Sequence, residues 1–399
     1  MNAIGLYYLK SDNTPDLDKD KKNLLGYDPK TVDLHINIWK VERGGIQLTS
    51  EIYIDFGIMT SFNVDKLRLY LPFSIETHED LGQRLNNQKR ELCAIFNDEL
   101  LPEPQSNGCY CKVKYDDKNE ENFFYLYELG TNNFDVKPFS ENDKESTYVT
   151  VDLKGFPDGK NDLKAFENQK RYIRFRVKVK RREEISITSH ISNDMFQAAF
   201  SMSDYYDIRV NEKRGIPDKV KECMQNENFD ICNFTKVHLF YIADSREKIE
   251  NESSLKCDSR LLEACHWQKY KPDTDVHNTV YIAHHWKKRI IKEESQGDER
   301  HKGDCKKEES NKAIGSFSVF FSTIYPELNK WRLFSYMCVV ILLGWCGSML
   351  SFKFIELKFS PLNYEGICFL IILLIVLFIS VRIATTCYGI KWLKIYRKR

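Results

Sequence analysis

The sequence has none of the signatures that announce an enzyme. It contains no nucleophile elbow, no zinc-protease helix and no kinase motif set. The stretch GFPDGK supplies Gly155, Gly159 and Lys160. It is one residue short of a phosphate-binding loop between its glycines, and it places Asn161 where a magnesium-binding Ser or Thr belongs. Zinc spacing is missing as well. One residue separates Cys109 from Cys111, Cys265 beside His266 has no partner pair, and the consecutive His284 and His285 face opposite sides of a strand. No cofactor or metal is therefore expected. A disulfide framework is not expected either: of 12 cysteines, Cys338, Cys346, Cys368 and Cys387 lie in or beside apolar runs and the rest are scattered, which predicts free thiols in a reducing compartment. The N-terminal MNAIGLYYLKSDNTPD lacks the cationic start and apolar stretch of an export signal, so the part that follows is expected to stay inside the cell. Net charge is nearly absent: 59 Lys and Arg against 58 Asp and Glu leave +1, ordinary for a globular chain of 399 residues.

What is present is alternation. Leu34 to Trp39, Glu51 to Met59, Lys66 to Phe73, Phe123 to Leu129, Thr147 to Leu153, Arg171 to Lys180, Thr235 to Ala243 and Thr279 to Trp286 all read as strands rich in β-branched and aromatic residues. Helices are fewer. Thr77 to Leu100 reads as one helix opened by Thr77 with Asp80 as a capping partner, and shorter helices are expected at Asp218 to Gln225 and Ser259 to Trp267. Strands paired with few helices inserted predict an α+β, mostly antiparallel β domain over residues 1–286.

Residues 287–312 carry sixteen charges of both signs in twenty-six positions, which predicts a solvated linker or a salt-bridged helix. Residues 313–330 follow, aromatic and uncharged up to Glu327. They are expected to lie at the headgroup level of a membrane, with Pro326 marking their end. Leu333 to Phe352 then has no charge in twenty residues and Gly366 to Val381 none in sixteen. A hydrocarbon core about 30 Å thick needs about 20 apolar helical residues. A C-terminal two-helix transmembrane hairpin is expected, with helices at 331–352 and 364–390 and a short extracytoplasmic loop at 353–363. Lys391, Lys394 and Arg397 in the cationic tail 391–399, with Lys330 and Arg332 before the first helix, place both termini in the cytoplasm. Arg382 is either a functional intramembrane cation or a side chain that snorkels to the headgroups and anchors the second helix. Gly344, Gly347, Ser348 and Ser351 fall on one stripe of the first helix, where small residues let backbones approach, and a homo-oligomer is expected.

The strongest cluster of candidate binding residues is RYIRFRVKVKRR. Alternation puts Ile173, Phe175, Val177 and Val179 on one face and Arg174, Arg176, Lys178, Lys180 and Arg182 on the other, about 6.6 Å apart along the strand. Such a ladder repels itself unless it is neutralised. Cross-strand carboxylates on an outer face would make it a solvated charge ladder; alternatively it is an anion site for the phosphates of a nucleotide or oligonucleotide, or for lipid headgroups.

A β-rich cytosolic domain, a charged linker, a two-helix hairpin and this basic strand resemble, in domain order, the membrane effectors of bacterial anti-phage signalling systems. The resemblance implies a domain that senses a nucleotide or oligonucleotide made by a cognate signalling enzyme. It also implies hairpins that oligomerise and permeabilise the inner membrane. In the two-helix members with a β-barrel sensor the helices precede the sensor, whereas here they follow it. A membrane-anchored scaffold that binds protein partners is the expectation from another class, and a membrane-tethered enzyme is a third.

Overall fold

The computed structural model describes residues 3–10, 31–43, 49–61, 64–87, 89–96, 98–104, 110–115, 123–141, 144–154, 170–190, 201–263, 267, 270–272, 280–290, 313–326 and 330–356. In chain order the first strands are β1 (Gly5–Lys10), β2 (Thr31–Arg43), β3 (Thr49–Ser61), β4 (Val64–Leu71), β5 (Ile75–Asp80) and β6 (Leu100–Pro104). Next come β7 (Tyr110–Tyr115), β8 (Phe123–Tyr127), β9 (Phe134–Glu141), β10 (Lys144–Asp152), β11 (Lys170–Val179), β12 (Ser186–His190) and β13 (Ser201–Val210). The last are β14 (Asp230–Ile231), β15 (Asn233–Asp244), β16 (Lys248–Asn251), β17 (Cys257–Leu262), β18 (Tyr281–Arg289) and β19 (Phe317–Pro326). Four α-helices accompany them among the described residues: α1 (Gly82–Asn86), α2 (Lys89–Phe96), α3 (Asp218–Asn226) and α4 (Lys330–Glu356).

The strands form three sheets. The central one runs β17-β18-β15-β2-β3-β11-β8-β7-β6, with β5 also paired to β11. It is antiparallel except at β15 with β2 and β11 with β8. The second runs β14-β1-β4-β10-β9 and the third β12-β13-β19-β16, both antiparallel. All the strands belong to one compact unit, Met1–Leu328. The eight strands legible by alternation are all present, and the mostly antiparallel α+β character holds.

Alternation along β2, β3 and β11 explains the layers. Leu34, Ile36 and Ile38, Ile54, Phe56 and Ile58, and Ile173, Phe175 and Val177 point to one side, where they pack with Leu67, Leu69, Val149, Ile208, Val319 and Phe321 from the other two sheets. The opposite face of the central sheet is buried too. There Trp39, Met59, Tyr172 and Ile242 pack with Leu85 and Leu92 of α1 and α2 and with Trp267 and Tyr270. A smaller cluster joins Tyr7 and Tyr70 to Val220 and Met224 of α3.

Three expectations are corrected. Thr77 to Leu100 is not one helix: Ile75–Asp80 pairs along β11, and the helix begins only at Gly82, whose N–H is accepted by Asp80 Oδ1 at 3.1 Å. Ser259 to Trp267 does not open as a helix, because Cys257–Leu262 pairs with β18. The segment expected at the membrane surface is β19. It pairs with β13 from Phe317 to Pro326 and with β16, and Phe317, Val319 and Phe321 are core residues, so the folded unit extends to Leu328 and not to Trp286.

The second unit is represented by α4, a single helix of 27 residues over the first apolar run. Among the described residues no helical stretch is long and apolar enough to cross a membrane. The second run, 364–390, and the tail lie outside the described residues. The hairpin is therefore not among the described elements.

Candidate functional site

The basic ladder of β11 is internal. Arg174 is 0 % exposed and Arg176 3 %, because α1, α2, Trp267 and Tyr270 cover the face on which they stand. Register decides their partners: Arg176 lies opposite Asp55 of β3 and Arg174 opposite Gly57. Asp55 accepts from Arg176 Nε at 2.6 Å and Nη2 at 3.1 Å, a two-point fork, and also from Trp39 Nε1 and the Tyr270 hydroxyl, each at 2.9 Å. Arg174 donates from Nε to the Tyr270 hydroxyl at 2.5 Å and from Nη1 to the Tyr172 hydroxyl at 2.8 Å, and its Nη2 is 3.7 Å from Asp55. With its amide turned so that the oxygen faces Arg174, Asn37 accepts from Nη2 at 2.9 Å. Gly57 is needed here: a Cβ would stand 2.1 Å from the Tyr172 hydroxyl. Burial opposes ionisation of Asp55 most strongly, yet the charge and hydrogen bonds of Arg176, the charge of Arg174 and the Trp39 hydrogen bond together hold the carboxyl below its ordinary value. Two guanidiniums face one carboxylate, and Tyr270 and Trp39 present their rings to Arg176 at 5.1 and 5.8 Å.

The other three cations are also paired with carboxylates, Lys180 at the surface. Lys178 pairs with Glu51 at 3.0 Å and Glu76 at 2.9 Å, and Lys180 with Glu145 at 3.3 Å. Arg182 lies past the end of β11, in the 3-10 turn Arg182–Glu184. It reaches Asp204, the Tyr325 hydroxyl at 2.5 Å and Ser50 Oγ at 2.7 Å. Asp204 also takes Lys40 Nζ at 3.1 Å, and Lys40 reaches Glu247 at 3.0 Å. This second cluster ties β2, β13 and β19 together under Tyr325, whose ring lies 3.7 Å from the Lys40 ammonium. The carboxylates expected of a charge ladder are present. At Arg174 and Arg176 the solvated face is not, and that part of the expectation is corrected there, while Lys180 and Glu145 stay exposed: alternation reports which residues share a face but not whether the face is covered.

A cavity of about 340 Å³ opens between the central sheet and the other two. Its walls are Ile36, Ile38, Ile54, Phe73, Ile185 and Ile208. Its mouth carries four carboxylates, Glu145, Glu183, Glu184 and Asp207, and two guanidiniums, Arg181 and Arg209. Arg181 donates to Glu184 at 2.5 Å, and Arg209 pairs with Asp207 at 2.6 Å and Glu212 at 3.0 Å. Nothing in the sequence pointed to this site, since its lining comes from segments far apart in the chain.

Three histidines gather on the helix-covered face of the central sheet: His238 has ring centroids 5.0 Å from both His35 and His285, and its Nδ1 lies 3.0 Å from His285 Nε2. Among the described residues no group of side chains could hold a metal ion. His284 faces away from His285, toward Ser259 Oγ at 2.8 Å. Gly155, Gly159, Lys160, Cys109, Cys265 and His266 lie outside the described residues, as do Arg382, Lys391, Lys394 and Arg397. On α4, Gly344, Gly347 and Ser348 are exposed, and a Cβ added at either glycine meets no atom of the described residues within 4 Å; Ser351 lies on the same helix. No protein-family model matches the chain, and no curated protein matches it.

Proposed function

We propose that the chain is a membrane-anchored effector. Its β-sheet unit stands on the cytoplasmic side of a bacterial inner membrane, and the C-terminal hairpins of several copies associate and permeabilise the bilayer when that unit receives its signal. Supporting this reading above all is the surface of α4. Phe334, Met337, Val340, Ile341, Leu343 and Trp345 are each more than half exposed, on a helix about 40 Å long at about 1.5 Å per residue. Apolar side chains exposed in such number mark a surface that associates with lipid or with other chains. The small-residue stripe supports association. The anti-phage setting and a cognate signalling enzyme rest on the resemblance in domain order.

One observation favours a second reading, a membrane-anchored scaffold without a pore: the cations of β11 are neutralised internally, so a nucleotide would find no free arginine fork there. The two readings separate in cells loaded with a potential-sensitive dye. The full chain should depolarise the membrane, while a chain ending at Leu328 should not. Gly347→Leu should lower oligomer yield in cross-linking, and no described residue stands within 4 Å of its added Cβ. Polarisation kept under every trigger favours the scaffold. A cytoplasm-active reporter should give signal at Arg399 and none within 353–363.

A further inference from the structure

We infer that the cavity between the sheets is a binding site for a small cationic amphiphile, an apolar body of about two aromatic rings bearing an ammonium or guanidinium group. This deepens the effector reading, on which it rests for its biological role, by giving the β-sheet unit a ligand class. Size comes first. At about 340 Å³ the cavity is roughly twice the ~150 Å³ that accommodates benzene. Its walls are aliphatic: Ile36, Ile38 and Ile54 belong to two adjacent central strands and Ile208 to the third sheet, and their side chains give water few hydrogen-bond partners.

The mouth selects charge. Both guanidiniums are already committed, Arg181 to Glu184 and Arg209 to Asp207 and Glu212. Glu184 is held in place by the Ser74 backbone N–H at 2.6 Å and hydroxyl at 2.9 Å, and Glu145 is shared with Lys180 at 3.3 Å. Glu183 is exposed and has no ion-pair partner among the described residues. An arriving cation therefore meets an exposed carboxylate that has no close ion pair among the described residues, whereas a phosphate meets an acidic rim with no free fork. The same rim disfavours a nucleotide.

The walls also connect to β19. Ile208 and Arg209 of β13 pair with Val319 and Ser318, and Arg182, adjacent to Arg181 of the mouth, donates to the Tyr325 hydroxyl. β19 ends at Pro326, and α4 begins at Lys330, so only residues 327–329 separate them in the chain. A ligand that displaces the 181–185 turn or β13 bears directly on the strand that leads to α4.

The test uses the full chain in lipid nanodiscs, with empty nanodiscs as the partition control, and compares 2-naphthylmethylammonium with 2-naphthoate by saturation-transfer NMR and titration. The ammonium should bind at least about tenfold more tightly than the carboxylate. Glu183→Lys, an exposed change, should cut that preference at least about fivefold, and Ile208→Trp should fill the cavity and abolish binding of both. Equal affinity for the two probes, or no binding of either, overturns the inference. So does binding that survives both variants. Binding without depolarisation in cells leaves the site standing and removes the effector reading. Depolarisation without binding does the reverse.

Discussion

Asp55 is the keystone of the buried cluster, and Asp55→Asn isolates its charge with almost no change of shape. The carboxylate is 0 % exposed and accepts from Arg176, Trp39 and Tyr270, with Arg174 at 3.7 Å. Neutralising it leaves two buried guanidiniums without a counter-ion, and breaking a buried pair in this way costs about 3–5 kcal/mol. Against a total stability of about 5–15 kcal/mol this is a large fraction. At about 2 °C per kcal/mol for a unit of this size, the melting temperature should fall by roughly 6–10 °C. Urea unfolding of the chain ending at Leu328, followed by tryptophan fluorescence, suits the measurement because Trp39 and Trp267 lie in the same cluster. Adding Arg176→Met should recover part of the loss, a coupling of about 1–3 kcal/mol, since an apolar side chain removes one unpaired charge. The pH dependence gives a second check. Burial opposes the Asp55 charge, but Arg176, Arg174 and Trp39 together outweigh it and lower the folded pKa. Its stabilisation is complete above the unfolded value of about 3.9 and is lost as pH falls through the lower folded one. The Asn variant should lack that part of the acid transition. A loss below about 1 kcal/mol would refute the reasoning and return the ladder to a solvated face.

A chain ending at Trp286 should fail to give a cooperative melt while one ending at Leu328 melts normally, because the shorter chain lacks β19, with its core residues Phe317, Val319 and Phe321 and the Tyr325 partner of Arg182. Gly57→Ala should cost about 1–3 kcal/mol in the same urea assay, since its Cβ would displace the buried Tyr172 hydroxyl; a neutral result would mean that the Arg174 site is looser than described. Burial holds His238 at about 3 and His285 at about 4, and lowers His35 as well. These neutral rings stabilise fully above the unfolded value of about 6.5, and stability should fall as pH drops from there toward the folded values. His238→Phe should flatten that slope, and an unchanged slope would locate the acid sensitivity elsewhere.

Local pattern alone determined eight of the nineteen described strands, because a period of two in β-branched and aromatic residues is a property of neighbours in sequence. It likewise assigned Ile173, Phe175 and Val177 to one face and Arg174 and Arg176 to the other, and it marked the uncharged run that forms α4. Tertiary structure decided what each face meets. Arg174 and Arg176 read as an outer ladder because nothing nearby in sequence says that Tyr270, Trp267 and two short helices close over them, or that Asp55, far earlier in the chain, arrives opposite Arg176 in register. Thr77 to Asp80 satisfies a helix-capping pattern, yet a free edge on β11 takes its backbone into the sheet. The segment Phe317–Pro326 reads as a membrane-surface stretch because it is aromatic and uncharged, the same composition that a strand needs when β13 lies on one side, β16 on the other and a hydrophobic core beneath. Composition fixes that such a segment must leave water; only the long-range pairing decides whether it does so into lipid or into protein.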